Sequence, residues 1–161
     1  MNTGADSSPQ GAFLDRVHHF PLRVYMEDTD LGGVVYYANY LRFLERARSD
    51  MLRAVGIDQR AAIESRQGVY AVTEVHIRYR KPARLDDELI VVSQLNEVRA
   101  AGCVISQTVR RAQELLAEAI VKVAFLSPEG RPKRQPADWV QKFTQITRAA
   151  PEDPSLRPSL E

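Results

Sequence analysis

The sequence predicts an α+β fold, an antiparallel five-stranded sheet wrapped around one long central helix. Three observations carry that prediction. Between Tyr40 and Val55 the apolar residues fall at the three-and-four spacing of one helical face. From Val69 to Leu126 the period changes to the alternation of strands in four successive segments. A fifth alternating segment, Phe20 to Met26, precedes the helix. Such a sheet buries one face, and the single long helix is the element available to bury it against.

The helix stripe consists of Tyr40, Leu44, Ala47, Met51 and Val55, widened by Leu41, Phe43 and Leu52. Arg42, Glu45, Arg46, Ser49 and Arg53 take most of the remaining surface. So wide and bulky a face marks a core helix. Gly56 follows the last apolar position, where a left-handed cap is expected. Asn39 is the residue that capping preferences select at the entrance, although the apolar run Val34 to Tyr37 also admits an earlier start.

The strands are read in order. In Phe20–Met26, Pro21 marks an edge or a bulge. After a connector with a short helical turn near Ala61–Ser65, Val69 to Arg80 places Val69, Ala71, Thr73, Val75, Ile77 and Tyr79 on one face. Tyr70, Val72, Glu74, His76, Arg78 and Arg80 form the other, and Pro82 ends the run. Leu89–Val98, Cys103–Arg110 and Leu115–Leu126 follow as an antiparallel meander. The last contains Leu-Leu-Ala-Glu-Ala, which favours helix, but Val121, Val123 and Phe125 and the neighbouring hairpins decide for strand. A short helix is expected from Ala137 to about Thr147, with Val140, Phe143 and Ile146 as its apolar contacts.

The chain has 161 residues, one domain's worth, with a hotter core of pattern between two loose ends: a tail over 1–12, the domain over 13–148 and a second tail over 149–161. The formal net charge of +1 points to no nucleic-acid partner. The single cysteine, Cys103, excludes an internal disulfide and reads as core packing. His18, His19 and His76 lack metal-ligand spacing, so no metal is expected. No apolar run approaches the ~20 residues of a membrane helix, and no secretory leader precedes the domain, so a cytoplasmic location without membrane insertion is expected.

The chemistry concentrates just before the helix. Glu27, Asp28 and Asp30 lie on a turn completed by Gly32 and Gly33. An isolated aspartate on a glycine turn is ordinarily structural. A carboxylate beside a helix entrance also faces backbone N–H groups that have no partner inside the helix. Glu27 and Asp28 read as solvated turn acids, and Glu45 as the partner of Arg48 or Arg42, although a helix acid can also serve as a second carboxylate.

The run Val24 to Tyr40 (VYMEDTDLGGVVYYANY), continuing through Phe43-Leu44-Glu45-Arg46-Ala47-Arg48, resembles the signature of the 4-hydroxybenzoyl-CoA thioesterase family, which has the hotdog fold. Arg78 to Asp87 (RYRKPARLDD) resembles the same family, and the likeness covers about Phe20 to Pro136. The branch associated with the bacterial Tol-Pal system is the most similar. That branch usually has a histidine seven positions after the catalytic acid; this chain has Tyr37, as in the hydroxybenzoyl-CoA branch.

The resemblance implies an acyl-CoA thioesterase for short aliphatic or aromatic acyl groups, with Asp30 as nucleophile or general base. The backbone N–H groups of Tyr37 and Ala38 would polarise the thioester carbonyl. Gly32, Gly33, Val34, Asn39 and Tyr40 are the expected substrate-binding residues. Coenzyme A would enter as part of the substrate, with no separate cofactor. Arg78, Arg80, Lys81 and Arg84, and a second cluster of Arg131, Lys133 and Arg134, are candidates for its phosphates; the alternative is two solvated basic faces. The resemblance further implies a homodimer or homotetramer, with acyl carrier protein as a possible alternative donor. Two other readings share the fold. One is a non-catalytic module that binds acyl-CoA or a Tol-Pal envelope partner. The other is an acyl-thioester hydratase or dehydratase, which would need a histidine that the helix entrance lacks.

Overall fold

The computed structural model describes residues 10–148. The tail expectations for 1–9 and 149–161 lie outside the described residues. The elements are β1 (Ala12–Leu14), β2 (Val17–Arg23), α1 (Asn39–Ala54), α2 (Gln59–Glu64) and β3 (Val69–Tyr79), then β4 (Glu88–Arg99), β5 (Gly102–Arg111), β6 (Glu114–Leu126) and α3 (Ala137–Ile146). The six strands form one antiparallel sheet in the order β1-β2-β4-β5-β6-β3. The fold is therefore the hotdog arrangement, with one strand more than the sequence predicts.

The extra strand comes from a hairpin whose two-residue turn, Asp15-Arg16, has positive φ at both positions. Asn-Gly is the usual signal for that turn, so Asp-Arg does not announce it. Only β4, β5 and β6 form the expected meander. β3 crosses over to pair with β6 at the far edge, and β2 pairs with the other side of β4. Residues 80–87 make that crossing possible by folding back against the segment before α1: the Val35 N–H donates to the Ala83 carbonyl at 2.8 Å.

A bulge corrects the predicted faces of β3. Its register against β6 shifts between Val72 and Glu74, so one extra residue is inserted and the alternation reverses. Tyr70 and Ile77, predicted on opposite faces, both pack against the core as a result.

Helix α1 buries Tyr40, Phe43, Leu44, Ala47 and Met51 against the inward residues of the sheet, among them Val91, Val109 and Val121. A second cluster fills the far end, where Phe125 stacks edge-on with Trp139 of α3 at 5.5 Å. Trp139 and Phe143 are the buried residues of α3, whereas Val140 is only half-buried. Two charged residues of α1, Arg48 and Asp50, are also buried. Sequence periodicity gives no signal for their burial, and each has a polar partner inside the protein. Gln107 accepts from Arg48 at 2.9 Å, and Asp50 lies 2.9 Å from His18 Nε2.

Candidate active site

The segment between β2 and α1 is a compact loop held by its own backbone. Residues Met26–Asp28 form one 3₁₀ turn, and Thr29 and Val35 face each other as a β-bridge. The Asp30 N–H donates to the Val34 carbonyl at 2.9 Å, and the Gly33 N–H donates to the Asp30 carbonyl at 3.0 Å. Gly33 has φ +75°, which glycine adopts without steric cost. A second bridge, Val34 to Arg84, ties the loop to the segment after β3.

The carboxylates on this loop have different environments. Asp28 is buried and its side chain accepts the Tyr25 N–H at 2.8 Å, which corrects the expectation of a solvated acid. Its carbonyl accepts the Tyr36 N–H and the Asn39 side-chain amide, both at 2.9 Å. Asn39 is therefore the first residue of α1, bracing the loop, while Ala38 occupies the cap position. Asp30 is exposed, and Oδ1 accepts the Gly32 N–H at 2.8 Å.

At the helix entrance the backbone N–H groups of Tyr37 and Ala38 have no acceptor among the described residues. The phenol of Tyr79, the last residue of β3, donates to the Tyr37 carbonyl at 2.8 Å. That carbonyl shares its planar peptide unit with the Ala38 N–H, so Tyr79 fixes the direction of that donor. The Tyr37 and Tyr40 rings meet Tyr79 edge-on at 6.2 and 5.3 Å. Tyr40 is buried below the loop, and its hydroxyl accepts the Ala83 N–H at 3.1 Å; burial raises its pKa. Tyr36, Tyr37 and Leu31 expose their side chains around the same entrance. Sequence analysis places Tyr79 only as a strand residue. Its position beside the Arg-Lys-Pro strand end is the sole local signal for its role.

The basic clusters are separated. Arg80 pairs with Glu118 at 2.6 Å and Lys81 with Glu114 at 3.1 Å, while the Arg84 side chain is exposed. This group lies at the Tyr79 end of β3. Lys133 donates to the Gln67 carbonyl at 2.5 Å, and Arg131 and Arg134 are exposed beside it, at the Val69 end. Within one chain the 11 residues of β3 hold the two groups about 33 Å apart. Glu45 pairs with Arg48 at 2.9 Å and accepts from Ser49 at 3.0 Å.

The model of the thioesterase-like superfamily matches residues 24–154. The chain belongs to the thioesterase-like superfamily. It is an enzyme of the thiolester hydrolase class. The acyl-CoA thioesterase YbgC of Haemophilus influenzae is 44% identical over 111 residues, 69% of this chain and 82% of that protein. The acyl-CoA thioester hydrolase YbgC of Escherichia coli O6:H1 is 40% identical over 128 residues, 78% of this chain and 95% of that protein. Among solved structures, a probable thioesterase from Bartonella henselae superposes with a TM-score of 0.71 at 33% identity, covering 74% of this chain and 99% of its own. Among the described residues of this superfamily member, no helix is long and apolar enough to cross a membrane.

Proposed function

We propose that the chain hydrolyses acyl-CoA thioesters at the loop before α1, with Asp30 attacking the thioester carbon or activating water. One arrangement carries this reading. A solvent-facing carboxylate lies on the loop closed by the Thr29–Val35 bridge, and two backbone N–H groups without an acceptor among the described residues follow that bridge at the start of α1. In direct attack, the Asp30 oxygen bonds the acyl carbon, the C–S bond breaks and coenzyme A leaves as thiolate. Water then cleaves the mixed anhydride and restores the carboxylate. Acting instead as a base, Asp30 takes a proton from the water that attacks. In either route the carbonyl oxygen becomes negative, and N–H donors at the positive end of the helix dipole favour that charge. Short aliphatic or aromatic acyl groups are the proposed substrates.

A homodimer completes the proposal. β3 is an edge strand that leaves Val69, Val72, Val75 and Tyr79 exposed. Such an edge is a template for a second chain. Antiparallel pairing of two β3 strands would bring the Arg131–Arg134 group of one protomer to the Tyr79 end of the other. Both basic groups would then reach the phosphates of one coenzyme A. A cytoplasmic setting beside the Tol-Pal system accords with the family resemblance, and the genes adjoining this one test that link.

The decisive experiment follows thiol release from a panel of acyl-CoAs by wild type, Asp30→Asn and Asp30→Ala. Wild type is expected to turn over, with both variants slowed at least about a hundredfold. Full rate in Asp30→Asn removes Asp30 from the chemistry. Binding without release by wild type assigns the chain to the non-catalytic reading.

A further inference from the structure

The loop before α1 is a short hairpin whose hydrogen-bond ladder stops one rung before the helix entrance. The Asp30 N–H donates to the Val34 carbonyl, and the Tyr36 N–H donates to the Asp28 carbonyl, both at 2.9 Å. Hydrogen-bonded pairs in an antiparallel ladder fall at every other residue, so the next rung would join the Met26 carbonyl to the Ala38 N–H. That rung is not made. The Met26 carbonyl instead accepts the Thr29 N–H at 3.1 Å and the Thr29 hydroxyl at 2.8 Å, because Met26–Asp28 coils into a 3₁₀ turn. Ala38 therefore reaches the entrance with its N–H unspent among the described residues.

Asp28 holds the turn that interrupts the ladder. Its buried carboxylate accepts the Tyr25 N–H at 2.8 Å, while its own N–H donates to the Tyr25 carbonyl at 3.0 Å. Its carbonyl carries the last rung, taking the Tyr36 N–H and the Asn39 side-chain amide. One residue thus closes the coil on one arm and ends the ladder on the other. A single 3₁₀ turn has few bonds of its own, and their geometry is poorer than in an α-helix. Without the carboxylate the arm can extend and present the Met26 carbonyl to Ala38, and the ladder then consumes the donor. This role needs an acceptor oxygen at Asp28 rather than a negative charge.

We propose that Asp28 is a positioning residue of the hydrolytic site: its carboxylate locks the Met26–Asp28 turn and so keeps the Ala38 N–H free for the thioester oxygen. Asp28 touches no substrate and acts through Met26 and Ala38. Tyr79 directs this donor, and Asp28 keeps it available. The proposal rests on the hydrolytic reading of the loop, but half of its test does not require turnover. The full chain is followed by steady-state kinetics on one acyl-CoA and by hydrogen exchange of the Ala38 amide in NMR.

Asp28→Ala should lower kcat at least about tenfold with KM within about twofold. It should also slow Ala38 exchange at least about tenfold, as the Met26 carbonyl takes up that N–H. Asp28→Asn keeps an amide oxygen to accept from Tyr25 and should recover most of both changes. Thr29→Val removes only the hydroxyl bound to the Met26 carbonyl and should move both readouts the same way by a smaller factor, even where Asp28→Ala does not fold. Unchanged kcat or unchanged Ala38 exchange in folded variants overturns the proposal, as does a loss confined to KM. Asp28→Asn as slow as Asp30→Asn overturns it too, by making the charge at Asp28 the active feature. Slowed exchange in Asp28→Ala, with no acyl-CoA turned over by wild type, keeps the ladder stop and removes the hydrolytic reading; turnover with unchanged exchange does the reverse.

Discussion

The Tyr79 hydroxyl reaches across 2.8 Å to the Tyr37 carbonyl, joining the end of the edge strand to the peptide that opens the helix. Removing the hydroxyl leaves the ring contacts with Tyr37 and Tyr40 in place. Tyr79→Phe should therefore cost only about 1 kcal/mol of stability. Its larger effect should fall on kcat, about three- to tenfold, with KM nearly unchanged, because the Ala38 N–H loses its fixed direction. Steady-state kinetics on one acyl-CoA substrate make the separation; a loss confined to KM would contradict it.

The two glycines of the loop should fail in different ways. Gly33 has φ +75° and nothing within 4 Å of an added Cβ, so Gly33→Ala is a backbone problem worth about 1–2 kcal/mol. Gly32 does not have positive φ, but a Cβ there meets Asp30 Oδ1 at 3.1 Å. Gly32→Ala should lower turnover more than melting temperature, and Gly33→Ala the reverse. Thermal melts and thiol-release rates on the same preparations compare them.

His18 gives the protein a pH-dependent stability. It is fully buried with Nε2 on Asp50, and Nδ1 has no partner among the described residues. Burial lowers its pKa below 6.5, opposed by the charge and hydrogen bond of Asp50 and assisted slightly by His19. The unfolded chain therefore takes up this proton more readily than the folded one. Stability is retained above pH 6.5 and falls as pH drops below it, by up to about 1.4 kcal/mol per pH unit until the folded pKa is reached. Asp50 also accepts the Gln10 and Gly11 N–H groups at 2.7 and 2.8 Å, so the start of the described chain loosens with the pair. Denaturant melts between pH 5 and pH 8 should show this slope in wild type and a flatter one in His18→Gln; parallel curves would refute it.

Local pattern was enough for the helix face, the strand character of Glu114–Leu126 and the polar turn with Asp30 and its glycines. Each of these is written within a few neighbouring residues, where side-chain period and turn chemistry act. The Asp15-Arg16 hairpin was illegible because its turn uses residues that seldom take positive φ. The burial of Arg48 and Asp50 was equally hidden, since a buried charge depends on partners 59 and 32 positions away. Periodicity also cannot see the bulge in β3, which follows from its register against β6 and turns Tyr70 and Ile77 to the same side.

The amino-acid sequence by itself determined which residue types stand at the helix entrance and that one apolar helix must be covered by a sheet. Tertiary structure alone decided that β3 lies beside β6, that its final tyrosine holds the Tyr37 peptide, and that Arg48 and Asp50 are buried against polar partners. The physical reason is range. Helix periodicity and turn preference are properties of adjacent residues, whereas strand order, register and the partners of buried charges exist only after distant segments have met.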